Sequence, residues 1–233
     1  MAYIEVNNCS KKYVVGETEI LANNNVDFEI EKGELVVILG ASGAGKSTML
    51  NILGGMDSPT SGEVIIDGVD IAQFDRKQLT SYRRSDVGFV FQFYNLISNL
   101  TAKENVQLSS DLVAHSVDSI EVLESVGLGH RINNFPAQLS GGEQQRVSIA
   151  RAIAKKPKIL LCDEPTGALD YKTGKQVLNL LQEMSREQNA TVIIVTHNAA
   201  IAPIADRVIH MHDAKVKEMK INLFPESIMD IEW

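Results

Sequence analysis

Leu35-Val36-Val37-Ile38-Leu39-Gly40-Ala41-Ser42-Gly43-Ala44-Gly45-Lys46-Ser47 is an apolar run that ends in a G-x-x-x-x-G-K-[ST] loop. Glycines let the backbone turn so that successive N–H groups face phosphate oxygens, at the start of a helix whose N-terminus favours anions. Lys46 is placed to reach the β- and γ-phosphates of a nucleotide, and the Ser47 hydroxyl to coordinate Mg2+. The pattern arises by chance in roughly one chain of this length in a hundred. It points to a phosphate-binding α/β core and leaves the kind of nucleotide chemistry open.

Two further apolar runs extend that core: Ile159-Leu160-Leu161-Cys162 and Val192-Ile193-Ile194-Val195. Continuous rather than alternating hydrophobicity suits parallel strands covered on both faces. Polar residues follow each run, as ligand-binding residues follow the carboxyl ends of such strands. Val177, Leu180, Leu181 and Met184 recur at helical spacing between the last two runs and predict a crossover helix. Upstream, Ile4/Val6 and Val26/Phe28/Ile30 alternate within residues 3–31, which predicts antiparallel strands ending in a Lys32-Gly33 turn. Ser58-Pro59-Thr60-Ser61-Gly62 should break the helix begun at Lys46, and Asp67-Gly68 suggests a hairpin between Val64–Ile66 and Val69–Ile71. Residues from about 93 to 157 lack strand-like runs and read as mostly helical, with no element assigned between Gln107 and Val117.

The 233 residues suit one large α/β domain, and 44% hydrophobic with 22% charged residues is ordinary for a globular chain. No apolar run approaches the ~20 residues of a membrane-crossing helix. The start, Met1-Ala2-Tyr3-Ile4-Glu5, lacks the charged and apolar regions of a secretory signal. Work at a membrane would therefore require another chain to supply the span. Two cysteines, Cys9 and Cys162, are too few for a disulfide framework and favour a reducing cytoplasm. A net charge of −8 argues against a nucleic-acid-binding face. His210 and His212 alternate on a predicted strand without further ligands, so they do not read as a metal site.

About a hundred residues after the phosphate loop stands Leu139-Ser140-Gly141-Gly142-Glu143-Gln144-Gln145, a string on the order of a thousand times rarer by chance than the loop itself. Asp163-Glu164 ends the second apolar run, Gln92 follows Val87-Gly88-Phe89-Val90-Phe91, and His197 follows the third run and Thr196. Together these motifs resemble the ATP-binding-cassette (ABC) ATPases, from about Tyr3 to Lys215. The resemblance implies a P-loop NTPase core with a mainly parallel sheet, an N-terminal antiparallel β-subdomain and a helical signature subdomain. It divides one domain, 1–233, into a core and β-subdomain at about 1–92 and 158–215, a helical part at about 93–157, and a C-terminal tail from 216.

The same resemblance implies ATP bound by Gly40, Ala41, Ser42, Gly43, Ala44, Gly45, Lys46, Ser47 and Thr48, with Tyr13 stacked on adenine. Mg2+ would be held by Ser47, Gln92 and Asp163. Glu164 would be the general base, His197 a contact to the γ-phosphate and Gln92 a link to the partner protein. Ser140, Gly141, Gly142 and the loop ending at Asp170 would act across an interface, on ATP held by a second copy. Gly167-Ala168-Leu169-Asp170 departs from that family's pattern in opening on Gly rather than Ser.

Phe91–Leu96, Leu100–Val106 and Asp163–Asp170 are similar to the macrolide-exporter and lipoprotein-releasing branch. That branch implies a partner permease with few transmembrane helices and a large extracytoplasmic domain, docked near Phe93-Tyr94 at the cytoplasmic face of the membrane. An efflux or force-transmitting system is the leading expectation. Regulation of a cell-wall hydrolase or of antimicrobial-peptide sensing through the permease is the alternative. The ending from Glu226 to Ile231-Glu232-Trp233 resembles tails of Gram-positive members.

Overall fold

The computed structural model describes residues 2–232, so Met1 and Trp233, at the ends of the two terminal stretches, lie outside the described residues. Two sheets carry the chain. In the first, β1 (Ile4–Val15) pairs antiparallel with β2 (Thr18–Ile30) and with β4 (Ser61–Ile66), and β4 pairs with the short β5 (Val69–Asp70). The Asp67-Gly68 hairpin forms as expected, with both residues at positive φ.

The second sheet has the order β10-β9-β3-β8-β7-β6. Its strands are β3 (Leu35–Leu39), β6 (Val87–Val90), β7 (Ile159–Asp163), β8 (Thr191–Thr196), β9 (Arg207–His212) and β10 (Lys215–Ile221). All adjacent pairs are parallel except β9–β10, an antiparallel hairpin. Continuous hydrophobicity has a direct cause here. Val36, Ile38, Ile193 and Val195 enter one core with the first sheet, while Val37, Leu39, Val192 and Ile194 enter a second core on the other face. Every residue of β3 and β8 is buried. Each fully buried Val, Leu or Ile contributes about 1.5–3 kcal/mol.

Helix α1 (Lys46–Leu53) packs into the first core and α6 (Tyr171–Gln188) into the second, where Val177, Leu181 and Met184 are buried as their spacing predicts. The first helix ends sooner than Ser58–Gly62 would stop it. Gly54 caps it and Gly55 turns at φ 64°, because Gly54 sits against the Phe89 ring, where a side chain would not fit. Helix α2 (Arg76–Ser85), capped by Asp75, precedes β6. Between residues 93 and 157 lie α3 (Ala102–Ser110), α4 (Ser119–Ser125) and α5 (Gly141–Ile153), linked by loops and 3-10 turns. Helix α3 thus runs into the stretch left unassigned from sequence. No helix among the described residues is long and apolar enough to cross a membrane.

Candidate functional site

Sheet register builds the site. Leu39 pairs with Thr196 and Asp163 with Val195, so β3, β7 and β8 end side by side. Val90 pairs with Cys162, which brings the residues after β6 to the same edge. The phosphate-type loop 40–45, Glu164, His197 and Gln92 stand just past these strand ends. A cavity of about 660 Å³ opens there, lined by Tyr13, Ile20, Leu21, Ala22, Ser42, Gly43, Gly45, Lys46, Ser47, Thr48, Gln92, Asp163, Glu164 and His197. Gly40, Ala41 and Ala44 support this wall without lining it. Ser140, Gly141, Gly142 and Asp170 stand outside it.

The loop is shaped by close approach. Gly43 and Gly45 have φ of 80° and 93°, and a Cβ on Gly45 would collide with the Ala22 carbonyl. No side chain caps α1 at Gly45, so its first N–H groups are left for a ligand. Lys46, only 7% exposed, donates from Nζ to the carbonyls of Gly40 (2.7 Å) and Ala41 (3.0 Å), which aims its charge across the loop. A cationic amine and uncapped helix donors around one concavity suit a polyanion. At the other end, Tyr13 donates its hydroxyl to Asp57 Oδ2 (2.7 Å), and Lys11 Nζ lies 5.0 Å from the ring centroid. Tyr13, Ile20 and Leu21 give that end an aromatic and aliphatic wall.

Two carboxylates face the loop. Ser47 Oγ donates to Asp163 Oδ1 at 3.2 Å. Burial raises the Asp163 carboxyl above its usual range; Ser47 and Lys46 oppose that shift and Glu164 adds to it. Glu164 is fixed at both oxygens. Thr196 Oγ1 donates to Oε2 at 2.8 Å, the His197 backbone N–H donates to Oε1 at 3.0 Å, and His197 Nδ1 lies 2.8 Å from the same oxygen. Its backbone holds φ at 47°, a left-handed position that a non-glycine residue keeps only when its surroundings enforce it. The Glu164 N–H donating to the Val195 carbonyl is one such restraint.

Oxygen donors from Ser47, Asp163 and Gln92 form a hard set that suits Mg2+, which prefers one or two carboxylates plus substrate phosphate. Among the described residues no group of three or more His, Cys, Asp or Glu converges as a transition-metal site would. His210 and His212 lie on β9, the strand expected there.

Outside the cavity, Ser140 caps α5 reciprocally with Glu143. Ser140 N–H donates to Glu143 Oε2 (2.8 Å) and Glu143 N–H to Ser140 Oγ (3.3 Å). Gln145 Nε2 donates to the Pro165 carbonyl at 2.9 Å, tying α5 to the segment after Glu164. A Cβ on Gly142 would lie 2.1 Å from Thr173 Cγ2, so this glycine lets α5 press against α6.

Several contributors escaped sequence reasoning. Thr196 was visible only as the residue before His197. Gly167 sits where a Cβ would come within 3.1 Å of Gln92 Nε2, so the departure from Ser leaves room for that carboxamide. Arg151 donates to the carbonyls of Tyr94 (3.0 Å) and Asn95 (2.6 Å), a tertiary contact with no local signal.

A family model described as "ABC transporter" matches residues 23–167. The chain is 46% identical to "Uncharacterized ABC transporter ATP-binding protein MJ0796" of Methanocaldococcus jannaschii, over 96% of this chain and 99% of that protein. It is 43% identical to "Lipoprotein-releasing system ATP-binding protein LolD" of Shewanella frigidimarina, over 91% of each. A solved structure, "Dimeric structure of a post-hydrolysis state of the ATP-binding cassette MJ0796 bound to ADP and Pi", superposes with a TM-score of 0.87 and 43% identity, over 94% of this chain and 98% of that one. Relatives differ in length. The chain spans 50% of a Mycoplasma pneumoniae protein, "Putative ABC transporter ATP-binding protein MG065 homolog", and 32% of a Rhodopirellula baltica "Macrolide export ATP-binding/permease protein MacB".

Proposed function

The chain belongs to the ABC-transporter ATPases, close to the lipoprotein-releasing and macrolide-exporter branch, and from that premise we propose that it hydrolyses ATP to drive a separate membrane permease. It works as a dimer that encloses two ATP molecules. One observation carries the proposal. Lys46, Ser47, Gln92, Asp163, Glu164 and His197 line one cavity, while Ser140–Gly142 of the same chain remain outside it. In this reading each copy holds halves of two sites.

In this reading the loop from Gly40 to Thr48 and Lys46 bind the phosphates, and Tyr13 lies against the base. Ser47, Asp163 and Gln92 hold Mg2+, which when bound spreads the charge of the phosphate oxygens. Glu164 takes the proton from the attacking water, a role that contributes about 10²–10⁴-fold in comparable enzymes. Thr196 and the His197 N–H keep its carboxylate oriented. His197 bridges Glu164 and the γ-phosphate. Ser140, Gly141 and Gly142 of the other copy, with the loop ending at Asp170, complete the enclosure.

Permease docking is supported by Phe93, which is 76% exposed one residue after Gln92, an apolar group an interface would cover. The permease, of few transmembrane helices and a large extracytoplasmic domain, would hold this ATPase at the cytoplasmic face of the membrane. The system is an efflux or force-transmitting one, and no nucleic acid takes part.

Glu164→Gln tests the core of this reading. With ATP and Mg2+ the variant should run as a dimer in size-exclusion light scattering and as a monomer without nucleotide, because uncleaved ATP bridges the copies. A monomer at saturating ATP, for the chain alone and with its permease, contradicts the shared site.

A further inference from the structure

Phe93 and Tyr94 come directly after Gln92. Phe93 is exposed, while Tyr94 is half-buried. Asn95 then takes the left-handed backbone conformation, at φ 51°. Arg151, near the C-terminal end of α5, holds the Tyr94 and Asn95 carbonyls with two charge-assisted bonds of 3.0 and 2.6 Å. The phenol oxygen reaches the other end of the same helix. A Cβ built on Gly141 would lie 2.8 Å from Tyr94 Oη, 3.8 Å from its Cζ and 4.0 Å from the Ala168 carbonyl. Gly141 and Arg151 are ten residues apart, about 15 Å along a helix. Tyr94 thus meets α5 twice, its phenol beside the first residue of the helix and its carbonyl at the tip of the Arg151 side chain, two residues from a cavity-lining glutamine.

We propose that Tyr94 is a positioning residue that ties the Gln92 loop to the N-terminus of α5, so that the loop's position in one copy sets how Ser140 and Gly141 meet the nucleotide of the other. The action on the other copy rests on the shared-site proposal. The physical basis is that packed contacts do not compress. With its backbone held by Arg151 and its phenol oxygen standing where a Gly141 Cβ would point, the ring couples a shift of the loop to the start of the helix. It also gives a reason for glycine at 141 that owes nothing to phosphate binding, since any Cβ would meet the phenol oxygen.

A double-substitution cycle tests this with the permease complex, reading kcat, KM for ATP and the thermal midpoint. Gly141→Ala should lower kcat roughly five- to tenfold, with KM changed less than about twofold, because the phosphate loop and Lys46, which hold ATP on its own copy, are unaltered. Adding Tyr94→Phe to Gly141→Ala should restore most of kcat, since the remaining Cζ stands at an ordinary contact distance of 3.8 Å. Tyr94→Ala should lower kcat by about threefold or more, again without a matching KM change. Thermal midpoints within about 2 °C of the parent exclude misfolding as the cause. Full activity in Gly141→Ala, or equal loss with and without Tyr94→Phe, overturns the proposal.

Mixing Ser140→Arg with Lys46→Ala chains reports the shared site separately. Recovery there without rescue by Tyr94→Phe rejects Tyr94 alone. Rescue without recovery keeps the brace and overturns its action on the other copy.

Discussion

Asp163 sits half-buried beside a second carboxylate, in a chain whose cavity is otherwise built to receive negative charge. Burial, with Glu164 behind it, raises its pKa, so the folded state holds its proton more tightly than the unfolded chain does. The ionised form therefore costs stability above the folded pKa, and the cost disappears below the unfolded value near 3.8. Asp163→Asn should raise the thermal midpoint by about 2–4 °C near neutral pH while abolishing turnover. The gain should shrink as pH falls toward 4. A midpoint at pH 7.5 equal to or below that of the parent would show that Asp163 is not under this strain. Lys46 and His197 separate along another line. Lys46→Ala should weaken ATP binding more than about tenfold, whereas His197→Ala should leave affinity within about threefold and lower kcat by roughly 100-fold. Equilibrium titration with a fluorescent ATP analogue, set beside steady-state rates, distinguishes them. Equal losses of affinity would remove His197 from its assigned place. At this scale Lys46, Asp163 and Glu164 are legible because each follows an apolar strand in a recognisable pattern. Thr196 and Tyr94 are not, since their partners lie far along the chain, on the strand end before Pro165 and on α5.

Helix α5 shows how one element joins stability to chemistry. Its Ser140–Glu143 box satisfies N–H groups that the helix itself cannot, and Arg131 Nε adds a 3.0 Å bond to Glu143. The Ser140 N–H and hydroxyl, with Arg131, hold the Glu143 carboxyl below its ordinary range against the effect of burial. A depressed carboxylate pKa gives stability that is present above the unfolded value and lost as pH falls through the folded one. Glu143→Ala should thus lower the thermal midpoint at pH 7, by an amount matching about 0.5–2 kcal/mol for a lost cap. The deficit should close as pH drops below 4.5, the unperturbed value. A deficit that persists at lower pH would assign the loss to packing instead. Among elements, β3, β7 and β8 are legible because burial on both faces forces continuous apolar sequence. Strand β10 is not. It is an edge strand reading Lys-Val-Lys-Glu-Met-Lys-Ile and mostly exposed, so nothing in its composition separates it from a surface tail. Helix α2 hides for a similar reason, with Tyr82 as its one buried residue.

Across the whole molecule, two cores clamp the parallel sheet from opposite faces, and three strand ends bring the phosphate loop, Glu164 and His197 together. The contact between α5 and α6 at Gly142 and Thr173, and the bond from Gln145 to Pro165, seat the signature on the same body without bringing it into the cavity. A signature held outside the cavity of its own chain can complete a site only on another copy. Mixing two inactive chains measures it most directly. Ser140→Arg keeps its own phosphate loop but presents a bulky cation at the signature, and Lys46→Ala does the reverse. Heterodimers contain one site with both defects and one with neither. ATPase activity of the mixture, at fixed total protein and with the permease present, should rise above that of either variant alone, toward about a quarter of wild type if chains pair at random and a single intact site turns over. Activity that never exceeds the two parental levels, or a Ser140→Arg chain that hydrolyses ATP at the full rate by itself, would contradict the account.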